Sequence, residues 1–334
     1  MKLKTPGFWY RENGDAPLLE KILTPFSLLY RACYEIHQYS VKPEQFEFPV
    51  LCIGNINAGG TGKTPTALAL MDLLQKNNLA RNPFFLLRGY GGGERGPLLV
   101  DLQQHNSWST GDEALILAQK APTIIAVDRA QGAILASRKQ ADLILMDDGL
   151  QNPGIAKDIK IVVVNGEMGF GNGRMLPAGP LREPLHKGLA RADIFILIGE
   201  DKRGVADILP KDKPVIRARL VPDDRAMPDP GKKYLAFAGL GYPEKFFTFL
   251  KDKLNLDIVK TISFPDHYPY SEKDLEDLAA RAQEWNAELL TTHKDFLRLP
   301  KMPGIMVYTT GIKMAWDNES ELVEFLKLRL PAGR

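Results

Sequence analysis

The chain has 334 residues, 44% hydrophobic and 25% charged, enough apolar material for a sizeable core and, at roughly 100–200 residues per domain, for two domains. Its 43 basic and 41 acidic side chains leave a net charge of +2, which argues against wholesale nucleic-acid binding and against a disordered acidic scaffold. The two cysteines, Cys33 and Cys52, are too few for a disulfide framework or a cysteine-based zinc site, and they suit a reducing, cytoplasm-facing compartment.

At the N-terminus, Pro6, Gly7 and Trp9 interrupt the stretch where a secretory signal would need an apolar run. No segment reaches the roughly 18 apolar residues that span a bilayer. Leu18, Leu19, Ile22, Phe26, Leu29, Cys33 and Ile36 nevertheless recur at helical spacing on one side, with Glu20, Lys21, Ser27, Arg31, Glu35 and Gln38 opposite. Pro25 removes one backbone hydrogen bond unless a second helical segment starts there. Two readings fit this pattern. The stripe packs on the protein's own core, or it lies at a membrane surface with Trp9 and Tyr10 at headgroup depth.

From Phe48 onward, short apolar runs alternate with helical stretches, the signature of βαβ units and a mostly parallel sheet. Strands are predicted at 49–54, 84–87, 123–127, 143–147, 159–165 and 194–198, with helices at 64–76, 112–119 and 129–139. The proline-rich, charged segment 221–232 reads as a linker or hairpin tip. Beyond it lies a second alternating block: strands at 234–239, 258–264, 289–292 and 305–309, helices at 243–253, 271–285 and 319–328. The predicted class is α/β: a P-loop-type, mostly parallel sheet domain over 45–220, a smaller α/β domain over 233–334 that closes a cleft, and an N-terminal amphipathic helix region over 1–44.

The strongest local signal is Asn57-Ala58-Gly59-Gly60-Thr61-Gly62-Lys63-Thr64, followed by Pro65, after an apolar strand and at the head of an apolar helix. Strand, glycine-rich turn, Lys-Thr and helix together let backbone N–H groups and a helix N-terminus cradle phosphates. Lys63 then pairs with the β/γ-phosphates and the Thr64 hydroxyl holds Mg²⁺. Asn57 stands where the strict pattern has glycine, and Asn tolerates positive φ better than most residues. A phosphate-bound Mg²⁺ also needs a carboxylate at the end of a buried strand, and Asp147 and Asp148 follow the run Leu143-Ile-Leu-Met. Thr292-His-Lys-Asp295 does not satisfy the guanine-reading pattern, so ATP is favoured over GTP. Asp112 and Glu113 open a helix for which Thr110 is a candidate N-cap. Asp266-His267 falls at a strand-to-loop junction.

Several motifs stand in a fixed order: Gly54-Asn55, Gly59-Gly-Thr-Gly-Lys-Thr-Pro65, Arg88-Gly-Tyr-Gly91, Gly111-Asp-Glu113, Asp128-Arg129, Asp147-Asp-Gly149, Leu176-Pro-Ala-Gly-Pro-Leu-Arg-Glu-Pro184, Ala238-Gly-Leu-Gly241 with Pro243, Asp266-His267 and Lys294-Asp295. In that order they resemble the tetraacyldisaccharide 4'-kinase family, the lipid A 4'-kinases of Gram-negative bacteria. The resemblance implies ATP- and Mg²⁺-dependent phosphorylation of the 4'-hydroxyl of a tetraacylated glucosamine disaccharide 1-phosphate. The product would be the bis-phosphorylated lipid A precursor, made at the cytoplasmic face of the inner membrane, which the N-terminal helix reaches. It further implies Asp112 as the base, with His267 reaching across the cleft to orient it. Glu113 and one or both of Asp147 and Asp148 would join Thr64 on Mg²⁺, and Arg129 and Arg182 would stabilise phosphate charge. The chain departs from the family pattern at Leu150, Asn152, Tyr268 and His293. Two other classes share the loop: a P-loop ATPase acting as a switch or assembly factor, and a soluble sugar or metabolite kinase.

Overall fold

Every residue of Val50–Gly54 is buried, which a strand achieves only with neighbours on both edges and layers on both faces. This strand, β1, lies inside a nine-stranded sheet of a computed structural model that describes residues 6–10, 17–223, 227–241 and 243–330. The other strands of that sheet are β2 (Pro83–Leu87), β3 (Leu98–Leu99), β4 (Thr123–Ile125), β5 (Leu143–Asp147), β6 (Ile159–Asn165), β7 (Ile194–Ile198), β8 (Val215–Pro222) and β13 (Ile312–Trp316). Their order is β13-β8-β7-β6-β1-β5-β2-β4-β3. All pairs are parallel except β13 with β8 and β3 with β4.

Alternation along the strands divides the core in two. Leu51, Ile53, Leu143 and Leu145 face a cluster completed by α2 (Lys63–Lys76), α4 (Asp112–Ala118) and α11 (Glu319–Arg329). Val50, Cys52, Ile144 and Met146 face the other, which takes Ala133 and Ala136 from α5 (Arg129–Arg138). The connecting segments also carry the short helices α3 (Ser107–Thr110), α6 (Leu185–Arg191) and α7 (Val205–Ile208). A smaller parallel sheet of order β10-β9-β11-β12 is built from β9 (Lys233–Ala238), β10 (Asp257–Ser263), β11 (Glu288–Thr292) and β12 (Val307–Thr310). It lies between α8 (Pro243–Thr248) on one face and α9 (Glu272–Glu284) on the other. The short helix α10 (His293–Phe296) follows β11 directly.

Three features differ from the sequence reading. The block expected as one unit over 233–334 is not contiguous in space: β13 pairs antiparallel with β8, and Leu322, Val323 and Leu326 of α11 are buried in the core of the large sheet. Val221 and Pro222, expected in a linker, are strand residues paired with Lys313 and Ile312; residues 224–226 of that segment lie outside the described residues. The helix at the N-terminus, α1 (Pro17–Ser40), runs through Pro25 as one element.

Candidate active site

Parallel pairing puts Ile53 of β1 beside Asp147 of β5, so the loop leaving β1 and the carboxylate ending β5 meet at the C-terminal edge of the sheet, where open α/β sheets bind ligands. Gly59 and Gly62 take φ of +115° and +96°, conformations glycine adopts without a Cβ penalty. Asn55 ties the loop together: its Nδ2 donates to Thr61 Oγ1 at 2.9 Å, and its Oδ1 accepts from Lys63 Nζ at 3.2 Å. Asn57, offered as a substitute for a positive-φ glycine, is not among the residues in that region. It is buried, and its side chain donates to the Gly169 carbonyl at 2.9 Å. The Ala58 N–H is likewise spent on the Pro180 carbonyl at 2.6 Å. The part of the loop that lines the cavity therefore begins at Gly59, and residues 57–58 anchor it.

Residues 59–65 line a cavity of about 980 Å³ together with Glu113, Arg129, Asp147, Asp148, Arg182 and His267. Its carboxylates are unequal. Asp147 is 2% exposed, accepts from Thr64 Oγ1 at 3.5 Å, and leaves Oδ1 without a hydrogen-bond partner. Burial, with the charges of Glu113 and Asp148 nearby, pushes its carboxyl up to about 7. Burial would also raise Asp148, but Lys63 at 3.7 Å and Arg182 at 2.7 Å hold it below its ordinary value. Arg129 is buried and donates to the Ala126 and Val127 carbonyls at 2.6 and 3.2 Å; its Nε has no partner. Burial and the charge of Arg88 lower its pKa to about 10. An orphaned buried carboxylate oxygen beside a loop threonine fits a divalent cation. Among the described residues, no three or more His, Cys, Asp or Glu side chains form a metal cage by themselves. That suits Mg²⁺, which takes one or two carboxylates and completes its shell with phosphates and water.

The opposite wall comes from the small sheet. His267, at φ +57°, points Nδ1 at Asp112 Oδ2, 2.8 Å away; strained non-glycine backbone of this kind concentrates at functional sites. Asp112 is 5% exposed and does not line the cavity, whereas His267 and Lys294 do. Both Asp112 oxygens are taken by the Arg298 fork, Nε to Oδ1 at 2.9 Å and Nη2 to Oδ2 at 2.6 Å. Burial would raise this carboxyl, but the bonds from His267 and Arg298 and the charges of Arg298 and Lys294 hold it well below the usual carboxylate range. Thr110 is not the cap of α4. Gly111 occupies that position, and Thr110 closes the preceding turn with a bond to the Asn106 carbonyl at 3.2 Å.

The sequence reading gave no role to Arg298, to Asn55 or to the network behind Arg182. There Glu183, 1% exposed, accepts from Gln151 Nε2 at 2.7 Å and Tyr34 Oη at 3.2 Å, and pairs with Arg191. Tyr34 belongs to α1, whose polar side docks onto the site. Ser27 bonds to the Met175 carbonyl at 2.9 Å, Tyr30 to the Arg182 carbonyl at 3.1 Å and Gln38 to the Gln151 carbonyl at 2.7 Å. The apolar side faces outward, with Leu18, Ile22, Phe26, Leu29 and Ile36 all more than half exposed. Packing of that stripe on the protein's own core is thus overturned. Trp9, expected at headgroup depth, is instead buried, with Nε1 donating to the Pro177 carbonyl at 3.0 Å. No helix among the described residues is long and apolar enough to cross a membrane.

Of the departures from the pattern, Leu150 is buried against Gly54 and Asn152 caps its own turn at the Gly154 N–H. Tyr268 stacks on Phe264 with ring centroids 4.7 Å apart. His293 Nε2 lies 2.8 Å from Gln119 Oε1, bridging the two units.

A parallel sheet with a glycine-rich loop, Lys-Thr and strand-end carboxylates, closed over by an imidazole from a second unit that pairs with a carboxylate of the first, defines a P-loop phosphotransferase. A model of the family tetraacyldisaccharide-1-P 4'-kinase matches residues 19–331. The tetraacyldisaccharide 4'-kinase of Rhodospirillum centenum is 45% identical, covering 97% of this chain and 96% of its own; that of Paramagnetospirillum magneticum is 43% identical, covering 96% and 97%. The crystal structure of LpxK from Aquifex aeolicus in complex with ATP superposes with a TM-score of 0.78 at 26% identity, covering 94% of this chain and all of that one. The chain belongs to the tetraacyldisaccharide-1-P 4'-kinase family.

Proposed function

We propose that this kinase transfers the γ-phosphoryl group of ATP to the 4'-hydroxyl of a tetraacylated glucosamine disaccharide 1-phosphate, giving the bis-phosphorylated lipid A precursor. The observation that carries the reading is the cavity lined by the phosphate loop and Asp147 on one side and by His267 on the other. Lys63, Arg129 and Arg182 supply positive charge where the transferring phosphoryl develops negative charge. Thr64 and Asp147, with Glu113 or Asp148, would hold Mg²⁺, which would neutralise charge on the nucleotide phosphates when bound.

The acceptor hydroxyl gives its proton to Nε2 of His267, its oxygen bonds to the γ-phosphorus, and the bond to the β,γ-bridging oxygen breaks. On this reading the base is His267 rather than Asp112. A carboxylate off the cavity wall with both oxygens donated to, and held far below its ordinary value, is a weak proton acceptor. Asp112 instead accepts from Nδ1–H and leaves Nε2 free of a proton.

The outward apolar stripe of α1 supports contact with a membrane surface, where the substrate's acyl chains reside; the cytoplasmic face of the inner membrane is the proposed site of action. Incubation with ATP, Mg²⁺ and the lipid disaccharide 1-phosphate should yield a product carrying one more phosphate. Steady ATP hydrolysis without a phosphorylated glycolipid would overturn the kinase reading in favour of an ATPase.

A further inference from the structure

Arg298 is 4% exposed and lies outside the cavity, yet its guanidinium bonds to the units of both sheets. Its Nη1 is committed to the small-sheet side, donating to Asp295 Oδ1 at 3.1 Å and to the Gly239 carbonyl at 3.3 Å. Asp295, fully buried, is fixed in turn by the Gly239 N–H at 3.0 Å, Tyr270 Oη at 3.1 Å and Thr292 Oγ1 at 2.6 Å. The remaining two nitrogens cross to Asp112 on the large-sheet side as a planar fork, the geometry in which a guanidinium fixes a carboxylate most firmly. Asp112 Oδ2, so oriented, receives the His267 Nδ1–H.

We propose that Arg298 is a positioning residue for phosphoryl transfer: anchored in the small sheet, it holds Asp112 against His267 and so completes the proton-accepting pair as the small sheet seats on α4. The proposal rests on the role given above to His267. A second effect follows from charge. The groups facing the imidazole are Asp112, Asp266 at 3.8 Å, Lys294 at 3.4 Å and Arg298 itself at 3.4 Å, two anions against two cations. Without the guanidinium the two carboxylates face one ammonium. That imbalance favours the imidazolium, which cannot accept a proton.

The test is the pH dependence of kcat and the KM for ATP in Arg298→Gln, Arg298→Lys and His267→Gln, with thermal unfolding of each. Arg298→Gln should lower kcat at neutral pH on the order of 10–100-fold, move the acidic limb of the kcat profile to higher pH, and leave the KM for ATP within about twofold. Arg298→Lys keeps the charge without the fork, so kcat should fall while the limb stays in place; it carries the test if the glutamine variant does not fold. A loss in Arg298→Gln that is uniform across pH, or wild-type kcat in either variant, overturns the proposal. His267→Gln separates the two ideas: full turnover there refutes the histidine assignment itself. Lost turnover there with an unchanged profile in Arg298→Gln refutes only the part given to arginine.

Discussion

The two walls of the cleft treat buried charge in opposite ways. On the phosphate-loop wall, Asp147 Oδ1 and Arg129 Nε are buried without partners, and Asp147 has Glu113 and Asp148 nearby. Behind the facing wall, where the small sheet meets α4, each oxygen of Asp112 is paired, as is each oxygen of Asp295. A buried polar group left unmatched costs roughly 1–3 kcal/mol, so the first wall carries an electrostatic deficit that a phosphate–cation ligand removes. The second is complete without ligand, as a preorganised orienting device must be. In the proposed mechanism, phosphate binding belongs to the large-sheet unit, whereas the proton-accepting pair forms where the two units meet.

Lys63→Ala strikes the loop wall where positive charge is needed most. Turnover should fall on the order of 10²-fold or more; a rate unchanged in a phosphoryl-transfer assay would remove the loop assignment. Asp112→Asn breaks the other wall, and turnover should drop on the order of 10–100-fold while nucleotide affinity, measured by titration calorimetry, stays near wild type. Collapse of nucleotide binding in that variant would place Asp112 with the cation-holding groups and erase the contrast.

Asp147→Asn sharpens the contrast through stability. Asp147 is raised to about 7 in the fold, so between its unfolded value and pH 7 the native state binds more protons than the unfolded chain, and stability contributed by that proton is lost as pH rises. In metal-free buffer at pH 7.5, Asp147→Asn should unfold at higher denaturant, by on the order of 1–3 kcal/mol, while turnover falls. Asp112 has the opposite sign: its lowered carboxyl contributes stability above its unfolded value, lost as pH falls below that range. Equal pH dependence of unfolding in the two Asn variants would contradict both. The smallest effect belongs to the surface. Ile22→Ser with Phe26→Ser should change stability by only about 0.5 kcal/mol, leave turnover on detergent-dispersed substrate nearly unchanged, and reduce flotation with anionic vesicles.

The strands at 143–147, 159–165 and 194–198 were legible to the residue, because continuous β-branched and Leu-rich runs are what a doubly covered parallel sheet demands. The loop was legible from Gly59 onward, because its pattern is local, but the anchoring of Asn57 and Ala58 by residues more than a hundred positions away was not. Nor were the edges. Leu98–Leu99 is too short to show a period, and Ile312–Trp316 reads as an ordinary part of the second block until its pairing with β8 is seen. Arg298 was invisible for a related reason. Its link to Asp112 joins residues 186 apart, and nothing near it in the chain marks an arginine that will lose its water. The stripe on α1 was seen, but its direction was not. Helical spacing says that Leu18 and Ile36 share a side, whereas which side meets the protein was decided by Ser27, Tyr30, Tyr34 and Gln38.

The pairing of β8 with β13 has a practical corollary for how the polypeptide can be cut. Because the chain leaves the large sheet at Pro222 and re-enters it at Ile312, the small sheet is an insertion within a single folding unit, and the last helix seals the unit in which the chain began. A truncation that removes everything after Gly311 would not trim the acceptor-side lobe. It would strip Leu322 and Leu326 from the large-sheet core, and the first property to fail would be nucleotide retention, at the far end of the sequence from the damage.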